Sequence, residues 1–152
     1  MTAKELVATA FYARSCIQIT RIAEILGYAD DAARYAALRD HVIAGFLDRF
    51  IRLDGTMTSD TQCAYALAIA FGLLDGEPVR KVKAGNCLAC LVRESGGKVS
   101  TGFAGTPFVL PALTQTGHDD EAYQLLTSTE CPSWLYQVTM GATTTWERWD
   151  SM

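Results

Sequence analysis

A single carboxylate, Glu147, sits between two indoles in the run GATTTWERWDSM, with Trp146 before it, Arg148 beside it and Trp149 two positions on. An acid held between aromatic faces loses hydration, which pushes a carboxyl pKa upward into the range useful for general acid or base work. Indole rings also offer flat apolar platforms for the C–H face of a sugar. Glu147 with Trp146 and Trp149 is therefore a pattern for carbohydrate chemistry. The same residues also read as a salt bridge from Glu147 to an arginine, with the two tryptophans anchoring the tail in the core. Glycoside hydrolysis takes two carboxyl groups. Asp54, Asp60, Glu130 and Asp150 are the candidates for the second, and none has aromatic neighbours like those of Glu147. Asp60 is the best placed, on a loop ahead of an apolar helix, and is equally well explained as a helix cap. Asp150 stands too near Glu147 to work across a sugar from it.

The cysteines point elsewhere. There are five, Cys16, Cys63, Cys87, Cys90 and Cys131, and an odd number argues against a closed disulfide framework. Cys87 and Cys90 form a CxxC in AGNCLACLVRE, which could be a redox pair or half of a zinc site. No second such pair follows, and neither histidine, His41 or His118, has zinc-ligand spacing to it. Two small apolar residues one helical turn apart on a buried face are the expectation, with no metal and no cofactor. The net charge is −4 and the pI about 5.1, and no basic stripe runs along a predicted helix, so nucleic acid is not an expected partner. A neutral or polar small molecule suits such a chain better. No apolar run reaches the ~18 residues of a membrane span. The start MTAKELVATAFYARSC lacks the pattern of a signal peptide, so a cytoplasmic location is expected.

The elements that must position these residues are helical. TAKELVATAFYARSCIQITRIAEILGY carries Leu6, Val7, Ala10, Phe11, Ile17, Ile22 and Ile25 mostly at helical spacing, with Thr2 as its cap and Gly27 as its stop. ADDAARYAALRDHVIAGFLDRFIRL is a second helix, capped by Asp30 or Asp31, whose charges Arg34, Arg39, Asp40 and Arg49 fall opposite its apolar face. After a turn at 53–56, Ser59 and Asp60 precede TQCAYALAIAFGLLDG, which is apolar on nearly every side and so predicts burial on every side. A more polar helix with Pro78 in its first turn follows, then the apolar KVSTGFAGTPFVLPALTQTGH, then a short amphipathic helix capped by Asp119 or Asp120. The last stretch reads as a short helix, a break at Gly141 and an extended, β-prone segment. Alternation of amphipathic and wholly apolar helices predicts an all-α fold of helical hairpins in two layers, part of an (α/α)6 toroid. The loops TMTSDTQ and VSTGFAGTP then open on one face, where free helix N–H groups meet sugar hydroxyls or anions. That face gathers Asp60, Gln62 and Phe103 as candidate substrate contacts.

At this point several runs resemble one family. TGFAGTPFVLPAL, PSWLY and GATTTWERWD stand in the order and spacing of the catalytic domain of bacterial α-L-rhamnosidases, glycoside hydrolase family 78, and SDTQCAYALAIAFGLL is similar to that family's TQTAYALAL helix, with Cys63 where a threonine is common. The resemblance covers nearly the whole chain and implies an (α/α)6 barrel that hydrolyses terminal α-L-rhamnosyl linkages with inversion. It implies that Glu147 is the general base, that Trp146 and Trp149 wall the rhamnose pocket, and that Trp134 of PSWLY stands with them. The sequence also departs from the family. An upstream run like DERLGWTGD, which carries the general acid, is absent, as is the downstream β-sandwich whose histidine reaches the pocket. The resemblance thus places the chain as the second half of a barrel, with the base and without the acid. A gene fragment, a truncated chain and one half of a complemented pair each fit. A non-catalytic carbohydrate-binding module and a self-associating scaffold are the alternatives. Inner-helix surface left uncovered by a missing half predicts a homo-oligomer.

Overall fold

In the computed structural model, which describes residues 1–150, these stretches fold as α1 (Lys4–Leu26), α2 (Ala29–Phe50), α3 (Gln62–Ala70), α4 (Pro78–Glu94), α5 (Gly102–Gln115), α6 (Asp119–Thr127) and α7 (Trp134–Thr139). α3 buries every residue from Gln62 to Ile69. It packs along α5 on one side, against α4 on another and against the start of α1. Alanine at 64, 66, 68 and 70 lets the neighbouring helices come close. Gly105 of α5 makes one such close approach: a Cβ there would stand 2.9 Å from Cys63 Sγ, so this crossing requires glycine.

The starts of α1, α3 and α5 lie together. The Thr2 and Thr61 hydroxyls are 2.8 Å apart, Ala3 N–H donates to Ser59 Oγ at 3.2 Å, and Ser100 N–H donates to Gln62 Oε1 at 3.0 Å. These three helices therefore run parallel as an inner layer with their N-termini on one face, and α2, α4 and α6 return outside them. That is the all-α, two-layer hairpin architecture expected. Among the described residues there is no strand, only a single antiparallel bridge between Ile51 and Met57. Residues 142–150 are irregular chain without strand pairing. Among the described residues no helix is long and apolar enough to cross a membrane.

Several local expectations are corrected. Thr2 does not cap α1; its hydroxyl is spent on Thr61, and Ala3 holds the N-cap position without a side-chain bond. Thr61, not Ser59 or Asp60, caps α3, accepting from Ala64 N–H at 3.3 Å. Asp30, Asp31, Asp119 and Asp120 lie inside the first turns of α2 and α6, where they act on the helix dipole instead of a cap N–H. α3 stops at Ala70, because Gly72 at φ 70° turns the chain. Gly27 and Pro78 behave as predicted, as a left-handed C-cap and a first-turn proline. The CxxC does not form one buried face. Cys87 packs partly against the core, whereas Cys90 is exposed and its thiol lies 3.3 Å from Glu94 Oε1. The hydrogen bond to Glu94 and its charge push the Cys90 thiol up, away from the thiolate that redox or metal chemistry needs.

Two clusters tie the layers. On the inner layer Phe11 packs edge-to-face on Phe71 and Phe108, and the Arg14 guanidinium lies 4.5 Å from each of the Phe71 and Phe108 ring centres. Outside, Glu121 of α6 pairs with Arg93 of α4, while His118 Nδ1 stands 3.7 Å from the other Glu121 oxygen and His118 Nε2 lies 3.1 Å from Asn86 Oδ1. Burial pushes the Glu121 carboxyl up, but its backbone hydrogen bond, Arg93 and His118 outweigh it and hold it below the usual glutamate value of 4.5. A depressed folded-state pKa contributes stability that is fully present above 4.5 and is lost as the pH falls through the folded value. Glu121→Gln should therefore lower stability at neutral pH by roughly 1 kcal/mol or less. The difference from the wild type should close on acidification below pH 4.5, as read by denaturant melts across pH.

Candidate active site

The site is organised by the short helix α7. Ser133 is buried, accepts from Tyr136 N–H at 3.2 Å and donates to the Ser128 carbonyl at 2.6 Å, which fixes the helix start. Val99 N–H donates to the Pro132 carbonyl at 3.0 Å and pins α7 beside the approach to α5. From α7, Trp134 meets Trp149 edge-to-face with ring centres 5.4 Å apart. One turn on, Gln137 Oε1 accepts from Trp146 N–H at 3.2 Å, and the Gln137 carbonyl accepts from Ala142 N–H at 3.0 Å. The irregular tail is thus folded back across the N-terminal end of α5.

This return encloses a cavity of about 330 Å³, of the size that holds a small ligand. Glu147, Trp134, Trp146, Trp149 and Phe103 all line it, together with Gly102, Thr106, Pro107, Gln137, Thr145 and Arg148. Asp60 and Gln62 do not. Asp60 is exposed on the loop before α3. Gln62 is 1% exposed, and its amide is spent inside the fold: Nε2 donates to Ser95 Oγ at 3.2 Å and to the Lys98 carbonyl at 3.0 Å, while Oε1 takes Ser100 N–H. Its work is to hold the α4–α5 connection against α3.

Glu147 is the only carboxylate among the lining residues. The salt-bridge reading fails on geometry: Arg148 Nη2 pairs with Asp150 Oδ2 at 3.1 Å, and no ion pair to Glu147 is formed among the described residues. The other acids are engaged elsewhere. Asp54 accepts from Thr56 N–H and Oγ1, which hold its carboxyl below the usual range, and Glu130 pairs with Lys98 at 2.9 Å. The indole cage expected around Glu147 is also not closed. Trp149 packs edge-to-face on Trp134, and Glu147 is exposed. The cavity wall supplied by α5 carries Pro107, whose ring removes the N–H that would pair with the Phe103 carbonyl in a regular helix. A longer groove of about 740 Å³ continues down α5 past Leu110, Pro111 and Thr114, but no ionisable side chain lines it. Gln137, Thr106 and Pro107 are site residues that the sequence pattern did not single out. The i, i+3 spacing of Trp134 and Gln137, which puts both on one face of α7, was the signal available.

A cavity lined by one carboxylate and three tryptophans thus stands at the start of α5. Residues 1–152 match the family described as bacterial alpha-L-rhamnosidase 6 hairpin glycosidase domain. An α-L-rhamnosidase of Streptomyces avermitilis is 42% identical over 151 residues, covering 99% of this chain and 14% of the relative. The crystal structure of the native enzyme from Aspergillus terreus superposes with a TM-score of 0.93 at 37% identity, over 99% of this chain and 17% of that one. The Streptomyces avermitilis enzyme complexed with L-rhamnose superposes with a TM-score of 0.91 at 42% identity, over 99% and 14% of the two chains. The chain belongs to the bacterial α-L-rhamnosidase six-hairpin family, whose relatives here are glycoside hydrolases, and it spans only 14–17% of their length.

Because Gln62 is structural, Gln62→Ala should lower stability by roughly 2–3 kcal/mol, the cost of stranding buried partners. A thermal melt checks this, and the tryptophan signals around the cavity of the folded variant should stay at their wild-type positions.

Proposed function

We propose that this chain is the base-bearing part of an α-L-rhamnosidase catalytic domain, acting on terminal α-L-rhamnosyl linkages with inversion. Glu147 is the general base. The observation that carries this reading is the position of Glu147 as the sole carboxylate in an aromatic-lined cavity between the start of α5 and α7. The exposure of Glu147 fits the role, since the base of an inverting enzyme must reach a water molecule. Glu147 takes a proton from that water as it attacks the anomeric carbon, while an acid on the other side protonates the departing oxygen. In such enzymes the two carboxyl groups stand about 6.5–9.5 Å apart, leaving room for the water. These 152 residues supply one of them. The acid and the remaining pocket walls come from another segment, the other half of the barrel.

Alone, the chain should hydrolyse an aryl α-L-rhamnoside at or near the background rate, since loss of a general acid costs on the order of 10²–10⁴-fold. Supplying the acid-bearing half of a related barrel should raise turnover, and Glu147→Gln should abolish that gain. Robust hydrolysis that survives Glu147→Gln would sink the assignment of the base.

A second reading, a self-associating helical module, is favoured by one observation. α1 exposes Tyr12, Ile19, Ile22 and Leu26, an apolar stripe at helical spacing with no partner helix on it among the described residues. Burying that stripe between two copies should give a homodimer in sedimentation velocity, and Ile22→Asp should return it to monomer. A monomer at all concentrations would reject the module.

A further inference from the structure

Gln137 is the one polar side chain that both lines the Glu147 cavity and is almost wholly buried, at 7% exposed, among the described residues. A buried amide needs partners at both of its ends. One end is assigned by chemistry. Trp146 N–H can only donate, so the atom that meets it at 3.2 Å is the carbonyl oxygen Oε1. The other end is then Nε2, which makes no hydrogen bond among the described residues. Among the described residues no polar side-chain atom is sealed from solvent without a partner, so Nε2 keeps contact with solvent, and Gln137 lines both the Glu147 cavity and the shallow groove beside it.

The same residue holds the loop at a second point, because its main-chain carbonyl accepts from Ala142 N–H. Three residues earlier on the same face of α7, Trp134 holds Trp149. Glu147 therefore lies between two fixed positions, 146 and 149, both fastened to α7. The carboxylate itself is exposed and has no protein partner among the described residues. Its placement depends on these two attachments.

We infer that Gln137 is a positioning residue for Glu147 and a sugar contact at once: Oε1 pins the backbone next to Glu147, and Nε2 donates to a hydroxyl of the sugar in the cavity. This rests on the reading of the cavity as a rhamnose site. A neutral amide donor matches the neutral hydroxyls of a deoxy sugar. A hydroxyl bound at Nε2 polarises the amide and strengthens its hold on Trp146 N–H. Sugar in the cavity thus tightens the support of the base.

Two substitutions in the 152-residue chain separate the two ends. Gln137→Glu keeps an oxygen for Trp146 N–H and removes the donor. Gln137→Met keeps the length and removes both. Amide exchange at Trp146 reads the tether, and L-rhamnose titration followed on the indole N–H signals of Trp146 and Trp149 reads the contact. In Gln137→Glu, exchange at Trp146 should stay within about threefold of wild type, while rhamnose affinity should fall roughly three- to tenfold, the worth of one neutral hydrogen bond. In Gln137→Met, exchange at Trp146 should accelerate at least about tenfold with amides of α3 unchanged, and the rhamnose response should be lost. If the methionine variant does not fold, Gln137→Asn, which keeps the amide but shortens its reach, takes its place with the same expectation. Equal Trp146 exchange in wild type and the methionine variant overturns the tether. Unchanged rhamnose affinity in Gln137→Glu overturns the contact. If the wild-type signals ignore rhamnose while the exchange results hold, the sugar reading of the cavity fails and the tether stands.

Discussion

Everything in this fold follows from enclosing α3. Residues 62 to 69 are buried on all sides, so this helix cannot lie at a surface. Its core neighbours must come from both its flanks and its back, and that requirement alone produces two layers: α1 and α5 beside it, α4 behind it. The enclosure is tight enough to dictate single residues. Gly105 is fixed by the Cys63 side chain, and Gln62 spends its whole amide on closing the turn between α4 and α5. The open end of this inner layer is the end where the helices begin, and the cavity sits there because the tail folds over that end.

The site is assembled from two kinds of structure. One wall is the start of α5, a regular helix locked against the core. The other is chain without regular hydrogen bonding, given its shape by α7. Trp134 contributes a ring contact and Gln137 a hydrogen bond, and between them they decide where an exposed carboxylate stands. This division agrees with the general tendency of chemistry to sit on irregular segments carried by rigid scaffolds. It also places Glu147 on chain that is held to α7 at few points.

The layered architecture was legible in the sequence because its signal is repetitive. Wholly apolar stretches alternate with amphipathic ones, and each repeats the same physical demand. Helix starts were read less well. Asp30, Asp31, Asp119 and Asp120 are good capping types, but the chain enters each helix one or more residues earlier, a choice made by loop geometry that composition does not encode. At the site, the aromatic residues and Glu147 were legible by type, and the cavity gathers them. Gln62 was misjudged because position at the mouth of an inner helix does not say whether a side chain turns outward or inward; the unpaired groups of residues 95–100 drew it inward. Gln137 was missed for the opposite reason. An amide in a six-residue helix carries no pattern, and its role exists only once the tail has returned to meet it.

The two prolines of α5 have a consequence for the energetics of anything that binds here. Pro107 faces the cavity and Pro111 continues the same wall. Each ring fixes its own backbone angle, so this wall had few conformations to begin with and has almost none left to give up when a ligand or a neighbouring helix settles on it. The opposite wall, from Thr145 to Trp149, lacks regular structure and is held to α7 only by the Trp146–Gln137 hydrogen bond and the Trp149–Trp134 contact. Ordering entropy is therefore spent almost entirely on one side of the cavity. Mutations on the α5 side will register chiefly as lost contacts, whereas mutations on the tail side will register as changes in the entropy of binding.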